Sequence, residues 1–175
     1  MGIQFDDVFD RIVGNEGGFQ CQRNDRGNWT SGKVGVGELK GTKFGISAMT
    51  YPSLDIKNLT REDAKKLFYT DWWVKLGMSR FPVSLAYQMV DAAYHSGSHW
   101  ANVFLQRALG VNDDGLIGAN TLSTLKAVED LDDVFFLFLA ARLEFLTKTA
   151  TWGDNSRGFA LRIARCLRYA SGDYC

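Results

Sequence analysis

The sequence predicts a mainly α-helical protein with a small β lobe inserted after the first helix. Three observations lead to this fold class. Only 2 of the 175 residues are proline, whereas 13% are aromatic, a composition typical of helices that pack through large side chains. Apolar residues recur at helical spacing through most of the chain. Closely spaced glycines interrupt that spacing between residues 19 and 47, where we expect short strands and turns.

The first helix is predicted from an apolar stripe at positions i, i+3, i+4 and i+7. This stripe consists of Phe5, Val8, Phe9 and Ile12. We expect the helix to end at Gly17-Gly18, because glycine tolerates the left-handed backbone that terminates helices. The β lobe over residues 19–47 should then contain two or three short strands. No linker-like segment divides the chain, so residues 1–175 are predicted to form one domain.

The later helices follow from capping signals and apolar periodicity. Thr60 is the predicted start of the second helix, with Asp63 in the position of a capping-box glutamate. Residues 85–93 form a strongly apolar and therefore central helix, and a further helix ends at Gly110. The stretch 134–145 has hardly any polar face, so we expect it to be buried on all sides. Residues 159–169 form the last predicted helix.

Charge and cysteine content exclude several classes of protein. Lys plus Arg and Asp plus Glu both number 20, so the net charge of zero gives no reason to expect a nucleic-acid partner. No apolar run approaches the ~18 residues of a membrane-spanning helix. The N-terminal residues lack the basic and apolar regions of a secretory signal. Cys21, Cys166 and Cys175 show no CxxC spacing, so we expect reduced thiols and no zinc site, although a disulfide to Cys175 stays open.

Two carboxylates are candidates for acid–base chemistry. Glu16 precedes Gly17-Gly18 where the first helix meets the glycine-rich lobe, and Asp25 follows nine residues later. Hydrolysis of a glycosidic bond needs one protonated carboxyl to donate to the leaving oxygen and a second carboxylate as base or nucleophile. Apolar neighbours such as Phe19 or Phe44 would favour the protonated form of Glu16.

Several motifs in a fixed order carry a family resemblance. They are Glu16-Gly17-Gly18-Phe19, Gly41-Thr42-Lys43-Phe44-Gly45, Asp55-Ile56-x2-Leu59-Thr60, Tyr69-x2-Trp72-Trp73, Asp91-Ala92-Ala93-Tyr94-His95-Ser96-Gly97 and Asp114-Gly115-Leu116-Ile117-Gly118. In this order the chain resembles glycoside hydrolase family 108, the N-acetylmuramidase endolysins of phages and prophages. The resemblance covers roughly residues 5–125, with a weaker match over 158–165.

The resemblance implies a lysozyme-like fold that cleaves the β-1,4 bond between N-acetylmuramic acid and N-acetylglucosamine in peptidoglycan. It implies that Glu16 is the general acid. The spacing of Glu16 and Asp25 also resembles that of phage-type lysozymes, which implies that Asp25 is the base or electrostatic partner and that Thr42 positions the attacking water. No cofactor is expected. The chain departs from the family by an insertion of about a dozen residues (26–40) before Thr42, and by His95 where the family tends to carry Asn.

Further residues are predicted to contact the glycan or its surroundings. The predicted substrate-binding residues are Phe44, Trp72, Trp73, Tyr94 and His95. Adjacent residues on a helix point about 100° apart, so one of the two tryptophans should pack in the core while the other faces the cleft. His95 and His99 have the spacing of a helical metal pair, but no H-E-x-x-H pattern accompanies them, so no metal is expected.

Two segments toward the C-terminus carry further predictions, one for a loop and one for a basic helix. Asp113-Asp114-Gly115 is interpreted as a structural loop, because the remaining ligands of an EF-hand are missing. The surrounding residues 98–128 resemble a peptidoglycan-binding helical segment. A run without acidic residues carries four arginines that predict a weak contact with the outer membrane. They are Arg157, Arg162, Arg165 and Arg168.

The preferred hypothesis is a monomeric endolysin that lyses the host cell. It would collect in the host cytoplasm and reach the periplasm and cell wall with the help of a holin. Two alternatives stay open at this point. One is a lytic transglycosylase that acts on the same bond without hydrolytic water, and the other is a non-catalytic peptidoglycan-binding or virion protein.

Overall fold

A computed structural model of the protein describes residues 3–14 and 18–172. The chain forms two compact units: the N-terminal unit spans Gln4–Lys75 and the C-terminal unit begins at Leu76. In the described residues, helices provide most of the regular structure and the sheet has only two short strands. This confirms the predicted mainly α class. The assignment of residues 1–175 to one domain stays a prediction.

The first helix, α1, spans Phe5–Val13, with Val8 and Phe9 buried as the apolar stripe predicts. It ends about one turn earlier than expected at Gly17-Gly18. Gly14 terminates it with a φ of 71°, a conformation that glycine adopts at little steric cost. The predicted end was therefore wrong, because the sequence offers two glycine stops and the nearer one is used.

The β lobe contains two strands of two residues each, fewer than the upper limit predicted. Strands β1 (Thr42–Lys43) and β2 (Ile46–Ser47) pair in antiparallel register. The turn between them consists of Phe44 and Gly45, with φ values of 50° and 74°. Positive φ at both central residues is the pattern of a type I′ hairpin turn. Phe44 is therefore a non-glycine residue in a conformation that few side chains adopt.

Helix α2 spans Arg61–Phe68 and continues into a π-helical turn at Tyr69–Val74. As predicted, Thr60 caps α2: its hydroxyl accepts a 3.1 Å hydrogen bond from the backbone N–H of Asp63. A π-turn shifts the angular position of the side chains that follow it, and such turns are frequent at functional sites.

The C-terminal unit consists, in its described part, of five α-helices joined by short turns. They are α3 (Val83–Ser96), α4 (Ser98–Ala108), α5 (Ala119–Lys126), α6 (Asp132–Thr147) and α7 (Trp152–Gly172). Every residue from 85 to 93 is buried, which confirms that α3 is central. Helix α4 packs against α3 and α6, and α6 packs against α7. No described helix is both long enough and apolar enough to cross a membrane.

Helix α6 corrects one expectation. Phe135 is buried, but Phe136 and Leu137 are 58% and 52% exposed, so the helix is not buried on all sides. Its outer face is apolar and still faces solvent, a feature that composition alone does not distinguish from a buried face. Helix α7 is also longer than the predicted 159–169.

Candidate active site

Asp25 lies in the β lobe at the start of a single 3₁₀ turn, Arg26–Asn28. Its Oδ1 accepts a 2.8 Å hydrogen bond from the backbone N–H of Gly27, so the carboxylate is held by its own local turn. The side chain is partly buried. Asp25 thus has a fixed orientation and still reaches solvent.

Thr42 is tied to the same turn through Asn28, a residue that the sequence interpretation missed. The Thr42 hydroxyl donates a 2.8 Å hydrogen bond to Asn28 Oδ1, and Asn28 Nδ2 donates to the Gln22 carbonyl at 3.1 Å. The Asn28 backbone N–H donates to the Asp25 carbonyl at 3.2 Å. Asn28 has no exposed surface. The two predicted catalytic residues of the lobe, Asp25 and Thr42, are therefore both hydrogen-bonded to one buried residue, Asn28.

The insertion at residues 26–40 closes on itself and does not separate Asp25 from Thr42. Trp29 and Leu39 form an antiparallel bridge. The Asn28 carbonyl accepts hydrogen bonds from the backbone N–H groups of Lys40 and Gly41, at 3.0 and 3.1 Å. The two ends of the insertion thus meet at Asn28. Asn28 thus connects the segment that ends at Asp25 to the segment that begins at Gly41, although residues 26–40 separate them in the sequence.

Glu16, the predicted general acid, lies outside the described residues, as do Gly17 and Cys175. The described chain resumes at Gly18. Phe19, next to it, is 40% exposed and borders a groove of about 300 Å³. This volume is at the lower end of the range for small-ligand sites. The other lining residues are Leu39, Lys40, Ser53, Leu54, Asp55, Ile56 and Lys57.

The three predicted aromatic contacts of the N-terminal unit differ in exposure. Trp73 is 6% exposed and packs edge-on against Phe5, with ring centroids 5.3 Å apart, so it is a core residue. Trp72 is half-buried and its ring stacks on Phe68 at 6.2 Å. Phe44 is half-buried in the strained turn. The core position of Trp73 removes it from the substrate-binding set, whereas Phe44 and Trp72 stay candidates.

Tyr94 and His95 lie at the end of α3 in the C-terminal unit. Tyr94 is 36% exposed, and the His95 ring packs edge-on against Phe159 at 5.1 Å. Burial lowers the pKa of His95, and the positive charges of Arg162 and Arg142 lower it further. His95 is therefore neutral at pH 7 and offers one donor and one acceptor to a ligand.

His99 does not share a site with His95. Its ring lies against the backbone of Gly115, where an added Cβ would come within 2.2 Å of His99 Nδ1. The described residues contain no group of three or more His, Cys, Asp or Glu side chains placed to hold a metal. In the same loop, Gln106 Nε2 donates to Asp114 Oδ1 at 2.8 Å and Gln106 Oε1 accepts from the Gly115 N–H at 2.7 Å. These bonds fix the loop between α4 and α5.

One of the four arginines predicted to contact the outer membrane is half-buried and bound to a buried carboxylate. Arg162 Nη2 donates to Asp91 Oδ1 at 2.7 Å, and Nε donates to Oδ2 at 3.0 Å. The prediction for Arg162 was wrong because its side chain turns toward α3 and pairs with the buried carboxylate of Asp91. Arg157, Arg165 and Arg168 are exposed.

Asp91 is part of a buried cluster that the sequence interpretation did not find. Arg142 on α6 is fully buried and its Nη1 donates to Asp91 Oδ2 at 2.7 Å. Burial alone would raise the pKa of the Asp91 carboxyl, but Arg142 and Arg162 together outweigh it and lower that pKa. A lone arginine in the apolar run 134–145 was the available signal, since a buried cation requires an acidic partner. Cys166, also buried in this cluster, carries a free thiol, as does the exposed Cys21.

Comparison with known proteins adds the family. The model of the family glycosyl hydrolase 108 matches residues 9–97, slightly more than half of the chain. The chain belongs to this family. The structure of Brucella abortus SagA has a TM-score of 0.76 to the protein at 26% identity, covering 96% of this chain and 94% of that chain. A comparison with curated proteins gave no match.

Membership in glycosyl hydrolase 108 confirms the expected enzyme class. The protein is a lysozyme-like glycoside hydrolase that acts on peptidoglycan. The matched residues 9–97 include the positions of Glu16, Asp25, Thr42 and His95. All of the predicted catalytic and substrate-binding residues therefore fall within the part of the chain that matches the family.

Proposed function

We propose that this glycoside hydrolase is an endolysin muramidase that hydrolyses the β-1,4 bond between N-acetylmuramic acid and N-acetylglucosamine and thereby lyses the host cell. The observation that carries the proposal is the common anchoring of Asp25 and Thr42 on Asn28, within the family-matched residues that also contain Glu16. Glu16 donates a proton to the leaving oxygen, and Asp25 acts as base or electrostatic partner of the oxocarbenium-like state.

Thr42 has a defined role in this scheme. Its hydroxyl proton is donated to Asn28 Oδ1, while Asn28 Nδ2 is used on the Gln22 carbonyl, so the amide presents only its oxygen to Thr42. The Thr42 oxygen then keeps its lone pairs as acceptors. An acceptor in this position orients a water molecule by taking one of its protons, which directs the water oxygen toward the sugar.

The decisive experiment compares wall clearing by the wild type with clearing by Glu16→Gln and Asp25→Asn. Loss of a general acid costs about 10²–10⁴-fold in rate, so Glu16→Gln should be nearly inactive. Glu144→Gln, an exposed glutamate on α6, is the matched control and should clear walls like the wild type. Equal clearing by Glu16→Gln and the wild type would contradict the catalytic assignment.

Analysis of the products separates hydrolysis from the transglycosylase alternative. A hydrolase releases muropeptides with reducing N-acetylmuramic acid ends, whereas a lytic transglycosylase releases 1,6-anhydro ends. Mass spectrometry distinguishes them by the mass of one water. Anhydro ends from the wild type would overturn the hydrolytic mechanism. Membership in a hydrolase family argues against the third alternative, a non-catalytic wall-binding or virion protein.

The place of action is part of the same proposal. We propose that the enzyme collects in the host cytoplasm and crosses to the periplasm and wall through a holin, as the proposed role in host-cell lysis requires. Expression with and without a co-expressed holin tests this: lysis should require the holin. Lysis at the same time in both cultures would contradict it.

A weak contact with the outer membrane is supported by three arginines on the outer face of α7. Arg157, Arg165 and Arg168 recur at helical spacing beside Leu161, which is 51% exposed. Binding to vesicles with anionic lipid should exceed binding to neutral vesicles, and the triple Arg→Gln variant should lose the difference.

We propose that the protein acts as a monomer of 19.6 kDa, which light scattering measures directly.

A further inference from the structure

The buried cluster around Asp91 contains more positive than negative charge. The Asp91 carboxylate is 5% exposed and receives hydrogen bonds from two guanidinium groups, Arg142 at 2.7 Å and Arg162 at 2.7 Å. The Asp91 carboxyl is ionised at neutral pH, because the two arginines lower its pKa despite burial. Among the described residues of the cluster, two cations and one anion leave an excess of one positive charge.

The remaining polar groups of the cluster do not cancel this charge. Burial raises the pKa of the Tyr87 hydroxyl, and burial and the Asp91 charge raise the pKa of the Cys166 thiol to about 11, so both stay protonated and neutral at pH 7. Within the described residues, Nε of the fully buried Arg142 has no hydrogen-bond partner. An excess charge with an unpaired donor is costly in the interior. The cluster is therefore electrostatically complementary to a further anion.

Arg162 is the member of the cluster that reaches the surface. Its side chain is 29% exposed, whereas Arg142 is completely enclosed. Nε and Nη2 of Arg162 are bound to Asp91, but in the described part of the chain Nη1 makes no hydrogen bond. A guanidinium held on one edge by a buried carboxylate is preorganised, and its free edge suits a second carboxylate.

Arg162 lies close to two of the predicted substrate-binding residues, and its positive charge acts on both Tyr94 and His95. Asp91, Tyr94 and His95 share one face of α3 at i, i+3 and i+4. On α7, Phe159 precedes Arg162 by one turn and packs against the His95 ring at 5.1 Å. Arg162, the member of the charged cluster that reaches the surface, is thus close to His95 and Tyr94.

We propose that Arg162 recognises a carboxylate of the peptidoglycan substrate, with Tyr94 and His95 as neighbouring contacts. The inference rests on the proposed function, since it needs a glycan that carries N-acetylmuramic acid. N-acetylglucosamine is uncharged, whereas N-acetylmuramic acid carries a lactyl carboxylate, which the first amide bond of the peptide stem consumes when a stem is attached. The stem then supplies carboxylates of its own. Arg162 therefore selects the anionic sugar or its stem.

The test compares native substrates with substrates whose carboxylates have been converted to methyl amides. One arm uses stem-free glycan strands, which carry lactyl carboxylates, and the other uses strands with intact stems. For the wild type, amidation should raise KM about tenfold or more in the arm that supplies the recognised group, because it removes a charge-assisted hydrogen bond. The kcat should change little. The arm that responds identifies the lactyl group or the stem as the source.

Variants of Arg162 separate recognition from a structural role. Arg162→Gln should have a raised KM that no longer depends on amidation, and Arg162→Lys should recover part of the dependence because it keeps the charge. Lys65→Gln is the matched control, since Lys65 also donates to an aspartate, Asp6, at 2.7 Å, but that aspartate is 68% exposed. If Arg162→Gln lowers the rate equally on native and amidated strands, the pair is structural only and the proposal is wrong.

Two provisions keep the outcome decisive. If Arg162→Gln does not fold, the wild-type comparison decides alone: a KM independent of amidation in both arms overturns the proposal. The same comparison as a dissociation constant, measured by calorimetry, needs no turnover. Failure of hydrolysis with retained discrimination would then count against the proposed function alone, whereas hydrolysis without discrimination would count against the role of Arg162 alone.

Discussion

Thr42 and Asn28 are joined by a 2.8 Å hydrogen bond in which the threonine hydroxyl donates to the buried amide oxygen. The same asparagine receives the two ends of the insertion and donates its backbone N–H to Asp25. A loop of this length between the two residues would otherwise be free to displace Thr42 from Asp25. The side-chain and backbone hydrogen bonds of buried Asn28 are the physical reason that the β lobe holds both Asp25 and Thr42 in place.

The Thr42–Asn28 bond predicts a difference in stability between two substitutions. Thr42→Val removes the donor and leaves Asn28 Oδ1 buried and unpaired, which should lower the free energy of unfolding by about 1–3 kcal/mol. Thr42→Ser keeps the hydroxyl and should recover most of that loss. Urea denaturation of the three proteins measures the effect. Equal destabilisation by valine and serine would contradict the prediction, because serine keeps the hydroxyl that donates to Asn28 and valine does not.

Loss of the Asp91 charge should destabilise the C-terminal unit strongly. Asp91→Asn leaves two guanidinium groups without their carboxylate, and breaking a buried pair costs about 3–5 kcal/mol. Asp113→Asn is the control, because its pair with Arg107 has the same 2.7 Å distance but both side chains are about half exposed. That change should have little effect on stability, because exposed ion pairs are screened by solvent. Similar thermal midpoints for the two variants would argue that the Asp91 cluster contributes little.

His95 should make stability depend on pH on the acid side of neutrality. Burial and then the charges of Arg162 and Arg142 lower its pKa in the folded state below the ordinary 6.5, so the unfolded chain takes up the proton first. The contribution is therefore complete above pH 6.5 and is lost progressively as the pH falls toward the folded-state pKa.

The measurement is the urea midpoint of unfolding between about pH 5 and 7, the range in which histidine titrates. His95→Gln should flatten the curve in this range, whereas His99→Gln, which removes the other histidine, should leave its slope as in the wild type. A wild-type slope in His95→Gln would assign the pH dependence to other groups.

Neighbouring phenylalanines on α6 should differ sharply in their effect on stability. Phe135 is 1% exposed and Phe136 is 58% exposed. Phe135→Ala should cost about 3–5 kcal/mol because it leaves a cavity, whereas Phe136→Ala should stay within about 1 kcal/mol. Chemical denaturation measures both. Comparable losses would mean that the outer face of α6 is covered in solution.

Periodicity and capping signals predicted the fold class because they act within one or two turns of helix. The Thr60 cap depends on a residue only three positions away, and the stripe of α1 depends on positions within seven residues. Two predictions were wrong for different reasons. The predicted end of α1 was wrong because the sequence offers two glycine stops and the nearer one is used. The predicted burial of α6 on all sides was wrong because exposure depends on neighbouring elements that no local pattern records.

In the candidate site, too, some features follow from the sequence and others only from the tertiary structure. The sequence by itself determined the residue types for acid–base chemistry, in the order Glu16, Asp25 and Thr42, and the family to which they point. Only the tertiary structure decided that Asn28 joins Asp25 to Thr42, that Trp73 belongs to the core and that Arg162 turns inward to Asp91. Asp91 and Arg162 are 71 positions apart. Buried charges pair over such a separation when helices pack together, because a buried ion without an opposite charge beside it carries a large desolvation cost.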